Sequence, residues 1–246
     1  MGELLLGCSG WNYPETADKG GWTGVFYPNK NTERLRYYSQ FFNTAEMNST
    51  FYDKFYSDAE KGAIVLFEEF VDKISLLKTA SKLDAILFQL PPNCTDNDFK
   101  NIEQFLDRLP SENGCDCAMK FRHPSWGTEG PWETLKHYNI AVTVMTDSPI
   151  QENLQFIPDV IVTANHLFIR YHRRNIKDYY WYNYLYSEQE MEVWVEKVSR
   201  IRKQIKLRRA YFNNHYRGKA VIIAMQFKDM IGKALAADER KVLEHA

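Results

Sequence analysis

His166-Leu167-Phe168-Ile169-Arg170-Tyr171-His172 decides the fold. The run is apolar at its centre on both alternating faces, and it turns polar only at Arg170 and His172. Residues two apart in a strand face the same way. A strand that is apolar on both faces is covered on both sides, as strands of parallel sheets are. Six further runs of this kind flank it: Leu4–Gly10, Thr44–Thr50, Asp84–Leu90, Cys115–Phe121, Ala141–Asp147 and Arg209–Asn214. Helical patterns fill most of the intervals. Glu33–Phe42 follows Thr32 as N-cap, Ile64–Thr79 has apolar residues at helical spacing, and Asp98–Leu109 stops at Pro110. Ser187-Glu188-Gln189-Glu190 is a capping box opening Glu188–Leu207. Arg217–Ile231 is the last predicted helix.

Strands alternating with helices imply an α/β fold on a parallel sheet. The 246 residues suit one TIM-type (β/α) barrel, which takes about 250. No repeat, low-complexity tract or linker marks a boundary, so residues 1–246 read as a single barrel domain. One interval is irregular. Between Thr50 and Asp84 there is only one good helix, where an eight-stranded barrel needs a further strand and helix. Either the barrel is incomplete around its third strand, or a strand is disguised near Phe51–Tyr56, or residues of the natural protein lie outside this chain.

Composition narrows the function classes. The net charge of −1 gives no global field toward nucleic acid or an anionic membrane. No stretch approaches the roughly 20 apolar residues of a membrane span. Met1–Gly10 lacks the basic start of a signal peptide. Cys8, Cys94, Cys115 and Cys117 form no CxxC pair and no zinc spacing, and they read as reduced thiols of a cytoplasmic protein. Aromatic residues reach 15%, and many fall in loops, including Trp11, Tyr13, Trp22, Tyr27, Trp126 and the run Tyr179–Tyr182. They could line a pocket, stack on a ligand or cap the barrel's ends.

The chemistry lies at the carboxyl ends of the runs, where barrel enzymes keep their sites. Glu46 and Asn48 share a parity, as do Lys120 with Arg122, and Arg170 with His172. Gln89, Asp147, Asn213 and Asn214 end their own runs. Ser9 and Trp11 follow the first run, and His123 follows the fourth. Burying such groups costs several kcal/mol per ion before pairing offsets it. Polar ends on six or seven runs therefore point to a site, although Glu46 could simply neutralise Arg122 or Arg170. Glu46, Asp147 and His172 are the candidate acids and bases. Ser9, Trp11, Asn48, Gln89, Lys120, Arg122, His123, Arg170, Asn213 and Asn214 are the candidate substrate-binding residues. Lys120, Arg122 and Arg170 against Glu46 and Asp147 give three minus two, or +1. That balance suits an anionic or polyhydroxylated small molecule. No HxH or HExxH pair supports a metal, and no cofactor motif is present: the turn Gly7-Cys8-Ser9-Gly10 lacks GxGxxG and reads as close packing. Residues 200–209 carry Arg200, Arg202, Lys203, Lys206, Arg208 and Arg209. Ile201 and Ile205 interleave with them at helical spacing. The run reads as a solvated helix face, or else as a phosphate-backbone contact.

Several strings form an ordered series. Gly7-Cys8-Ser9-Gly10-Trp11-Asn12-Tyr13 resembles the GTSGWSY opening of the YecE-like family, a domain of unknown function. Phe26-Tyr27-Pro28, Glu46-Met47-Asn48-Ser49-Thr50-Phe51-Tyr52, Leu87-Phe88-Gln89-Leu90-Pro91-Pro92, Phe121-Arg122-His123-Pro124-Ser125-Trp126, Thr146-Asp147-Ser148-Pro149 and Tyr211-Phe212-Asn213-Asn214 keep that family's order. The resemblance implies a TIM-barrel-like fold and supplies no reaction. Three departures stand out. Lys120 replaces a usual acidic residue, and His215 replaces a frequent aspartate. The family's third strand, with its lysine and threonine-histidine pair, has no counterpart between Tyr56 and Asp84. Three readings remain open: an enzyme acting on a small anionic or sugar/phosphate-type substrate, a nucleic-acid-binding protein or nuclease, and a non-catalytic ligand-binding barrel.

Overall fold

A computed structural model describes residues 3–47, 63–109, 115–145, 160–172, 182–201 and 203–244. The strands are β1 (Glu3–Cys8), β2 (Ala85–Gln89), β3 (Asp116–Lys120), β4 (Ala141–Met145), β5 (His166–Tyr171) and β6 (Leu207–Phe212). They form one parallel sheet in the order β1-β6-β5-β4-β3-β2. First and last strands are neighbours, as in a barrel. Beyond β1, a bridge joins Ser9 to Glu46. There Glu46 N–H donates to Cys8 O at 3.0 Å, and Gly10 N–H donates to Glu46 O at 2.8 Å. That bridge is what the described residues show of the predicted run Thr44–Thr50. Its end, and the segment Phe51–Tyr56, lie outside them.

Interactions across the concave face measure the curl. Arg209 on β6 reaches Asp84, just before β2, and Asp116 on β3. Two or three strands lie between these partners in the sheet order, so the sheet bends far enough for its halves to face each other. Among the described residues it is a curled half-barrel rather than a closed cylinder. Small residues make room inside. Ala85, Ala118 and Ala141 leave space for Phe168 and Tyr211, whose ring centroids lie 4.9 Å apart.

The convex face is covered by α1 (Arg34–Tyr38), α2 (Ala63–Thr79), α3 (Phe99–Asp107), α4 (Glu129–His137), α5 (Glu188–Arg200), α6 (Lys219–Met230) and α7 (Ala237–Glu244). Outward residues of β1, β5 and β6 (Leu4, Leu6, Cys8, Leu167, Ile169, Tyr171, Ala210 and Phe212) join one core cluster with α5 and α6. Outward residues of β2, β3 and β4 join a second with α3 and α4. At about 25 cal/mol per Å² of apolar surface removed from water, these two layers are the main stabilising term. Gly7 shows how tightly β1 and the segment before Glu46 approach: a Cβ there would stand 2.1 Å from the Thr44 carbonyl oxygen. This supports the close-packing reading of the Gly7–Gly10 turn.

Three expectations are corrected. The helix predicted over Glu188–Leu207 ends at Arg200, because Lys206 has already joined the sheet. Its N–H donates to Asn165 O at 2.7 Å, and its carbonyl accepts from Glu3 N–H at 2.8 Å. The basic run is thus split between a helix end, a turn and β6, and both Arg208 and Arg209 are buried. It forms no single helix face. Two helices escaped the sequence pattern: α4, whose Gly130-Pro131 reads as a breaker, and α7, which follows the last predicted helix. Proline is tolerated in a first turn because the N–H it lacks would have no intrahelical partner there. Most loop aromatics are core rather than pocket: Trp22, Tyr27 and Trp126 are fully buried. All four cysteines are free thiols.

Candidate functional site

Strand alternation sorts the candidates. Ala85 and Leu87 face inward, so Gln89 does too. Ala118 does the same for Lys120, and Phe168 for Arg170. Ser9 and Glu46 sit on the bridge beyond β1. These groups converge at the carboxyl end of the sheet. Their centre is a buried chain of three residues: Ser9 Oγ donates to Glu46 Oε2, and Arg170 Nε donates to the same oxygen at 3.0 Å. Arg170 Nε also lies 3.0 Å from Glu46 Oε1. Glu46 is 8% exposed and Arg170 3%. Of the two partners that the sequence offered Glu46, the structure selects Arg170.

Beside this chain, Asn213 and His172 bring Nδ2 and Nε2 within 2.5 Å of each other. Tyr186 donates its hydroxyl to His172 O at 2.5 Å. Lys120 is buried, and Gln89 and Arg122 are half-buried. Arg122 has no hydrogen-bond or ion-pair partner among the described residues. Thr143 continues the inward parity of Ala141, and its buried hydroxyl is also unpartnered among them.

Other candidates stand apart from this centre. His123 caps the short turn Pro124–Trp126: its Nδ1 accepts from Ser125 N–H at 3.2 Å and lies 2.8 Å from Ser125 Oγ. The ring thereby holds a turn one residue beyond the strand-end parity. Trp11 is half-buried against the outer core, and its carbonyl accepts from the Tyr27 hydroxyl. Asn214 is fully buried, with neither end of its amide partnered among the described residues. Asn48 and Asp147 lie outside the described residues, as do Tyr179–Trp181.

The sequence reading underrated one element, an aromatic wall over His215. Its imidazole stacks on Tyr13 with centroids 4.7 Å apart and planes 10° apart, and Tyr182 lies 4.4 Å away on a tilted plane. Trp22 Nε1 donates to His215 O at 2.6 Å. Burial lowers the His215 pKa from its ordinary value, which favours the neutral ring. The signal was present in the aromatic run ending at Tyr182, but a stacking partner from a distant loop leaves no spacing to read. Among the described residues no three His, Cys, Asp or Glu side chains gather to hold a metal. None of the described helices is long and apolar enough to cross a membrane.

Comparison with known proteins agrees with this architecture. The family model described as "Protein of unknown function DUF72" matches residues 5–59 and 54–244. The two matched stretches overlap at residues 54–59, within the interval where the sequence pattern offered no third strand. The UPF0759 protein YunF of Bacillus subtilis is 24% identical over 184 residues, covering 68% of this chain and 64% of that protein, so the chain spans less than two thirds of this curated relative's length. The crystal structure of a DUF72 family protein from Thermotoga maritima superposes with a TM-score of 0.73 at 26% identity, covering 94% of this chain and all of the other. A DUF72 family protein from Enterococcus faecalis shares the fold with a TM-score of 0.68 at 18% identity, over 95% and 97% of the two chains.

Proposed function

This chain belongs to the DUF72 family, whose function is not established, and on that premise we propose that it is an enzyme acting on a small anionic substrate of the sugar or phosphate type. The reading places it in the cytoplasm and within the YecE-like part of the family, and takes the curled sheet as a TIM-type barrel with its site at the carboxyl-end mouth. One observation carries it: Ser9, Glu46, Arg170, His172 and Asn213, from separate parts of the chain, meet on the concave face at that end. Burying charge there costs stability, and barrel architectures place chemistry at that end. Arg122 and Arg170 hold the anion, with Lys120, Gln89 and Asn213 around it. Glu46 and His172 are the described groups able to move a proton, and Asp147 belongs to the same proposed set. Nucleic acid is the weaker alternative, since the basic run does not form one exposed face.

The test is a panel of phosphorylated and carboxylated sugars, read by calorimetry for binding and by product analysis for turnover, with the Arg122→Ala variant alongside. The expected result is binding and turnover of at least one compound, weakened in the variant while its thermal unfolding is unchanged. Tight binding without conversion would instead identify a non-catalytic ligand-binding barrel. Salt-sensitive binding of oligonucleotides, with no small anion bound, would move the reading to nucleic acid.

A further inference from the structure

The concave face carries two buried arginines, one near each end, and they are used differently. Arg209, toward the amino end, is tied on several sides. Its Nε donates to Asp84 Oδ2 at 2.5 Å, and its Nη2 donates to Asp84 Oδ1 at 2.6 Å and to Asp116 Oδ2 at 2.8 Å. Its remaining nitrogen, Nη1, is sealed from solvent without a partner among the described residues. Nothing is left to meet a ligand. Arg170, toward the carboxyl end, is tied on one side only. Nε faces Glu46, while Nη1 and Nη2 have no hydrogen-bond partner among the described residues. Arg170 is 3% exposed and sits on the inward parity near the carboxyl end of β5, so this edge is the part of the guanidinium left to meet a ligand at the mouth. Glu46 itself is held from behind by Ser9 Oγ.

From this contrast we infer that the Nη1–Nη2 edge of Arg170 is the receptor for a phosphomonoester group, aimed by Glu46 and Ser9 acting as positioning residues. This rests on the anionic-substrate reading above and specifies its ligand. A guanidinium pinned at Nε presents two parallel N–H donors at the spacing of two oxyanion oxygens. Its rotamer is fixed before the ligand arrives, so little ordering entropy is lost on binding. Counted with Asp147, the mouth's Lys120, Arg122 and Arg170 against Glu46 and Asp147 give three minus two, or +1. A phosphate bound through two oxygens at this edge keeps a third for a neighbouring cation such as Lys120 or Arg122, which a carboxylate bound through both its oxygens lacks.

Calorimetric titration of the purified protein with inorganic phosphate, and separately with acetate, tests this. Wild type is expected to bind phosphate more tightly than acetate. Arg170→Lys keeps the charge beside Glu46 but removes the fork, and it should weaken phosphate binding roughly 10- to 100-fold. Ser9→Ala should weaken it roughly 2- to 10-fold by loosening Glu46. Glu46→Gln, which still accepts from Arg170 Nε, should stay within about threefold of wild type, whereas Glu46→Ala should fall with Arg170→Lys. Thermal unfolding without phosphate checks that each variant folds. Unchanged phosphate affinity in Arg170→Lys, with affinity lost in Arg122→Ala, would overturn the receptor assignment and leave the anionic-substrate reading standing. Acetate bound in preference to phosphate would overturn the phosphomonoester assignment. A wild-type protein that binds no anion of either kind, nor any compound of the sugar panel, would overturn both readings together.

Discussion

Replacing Arg209 with methionine should be the most damaging single change on the concave face away from the mouth. The side chain is 1% exposed and holds Asp84 and Asp116 together through three charge-assisted hydrogen bonds. Removing one partner of a buried ion pair costs about 3–5 kcal/mol, because the other charge is left unpaired. Here the abandoned carboxylates are 34% and 32% exposed. Water can therefore recover part of the loss, and the expected cost falls to about 2–4 kcal/mol. For a chain of this size each kcal/mol lowers Tm by about 2–4 °C, which gives a drop of roughly 4–16 °C. Calorimetry or circular-dichroism melting reads this directly. The triple variant Asp84→Asn, Asp116→Asn, Arg209→Met removes all three charges and should recover most of the lost stability. A Tm for Arg209→Met within about 2 °C of wild type would refute the reasoning. So would a triple variant as unstable as the single one, since the cost would then be lost packing rather than stranded charge.

Two further outcomes follow from particular side chains. His166 is buried, with Nε2 3.0 Å from Cys117 O and Nδ1 3.7 Å from Asp116. Desolvation lowers its pKa below 6.5, although Asp116 opposes the shift. The unfolded chain then binds the proton more readily than the folded one, so stability is full above about pH 6.5 and is lost as pH falls toward the folded-state value. His215 acts in the same direction. Urea titrations at several pH values should show this slope, and His166→Gln should flatten it; an unchanged slope would remove His166 as its source. Gly7→Ala puts a methyl group 2.1 Å from Thr44 O, a backbone atom that cannot rotate away. The expected cost is about 3 kcal/mol or more, seen as lost soluble yield or a Tm lowered by roughly 6 °C or more; a variant as stable as wild type would show that the backbone at Thr44 can shift.

How much of this could be read in advance depends on the physical signal behind each element. β5 was read to within a residue, because a run apolar on both faces has few other uses. Lys120 and Arg170 could be assigned to the concave face because alternation fixes the face of every residue once one is known. Where alternation stops, the reading stops with it: His123 lies one residue beyond that parity and turns aside to cap Pro124–Trp126. The helix ending at Arg200 was overrun because Ile201 and Ile205 keep helical spacing while their backbone is already leaving the helix. Tertiary pairing of Lys206 with Asn165 and Glu3 overrode that local pattern. α4 was missed for the opposite reason, since Gly130-Pro131 imitates a break. The choice of Arg170 over Arg122 as Glu46's partner depends on which strand lies across the cavity, and no local pattern records that.

The two arginines are linked through the shape of the sheet. Arg209 draws the β2–β3 side toward β6 at the amino end, and that curvature is shared by every strand between them. The Glu46–Arg170 pair needs the same curvature, because its members come from the bridge beside β1 and from β5, with β1 and β6 between them. Barrel architectures separate stability at the amino end from chemistry at the carboxyl end. In this chain the first makes room for the second: a sheet relaxed at Asp84 and Asp116 would widen the mouth and pull Arg170 from the carboxylate that aims it. A stability defect at Arg209 should therefore appear as weaker phosphate binding at temperatures where the variant is still folded. A defect at Arg170→Lys should appear in binding alone.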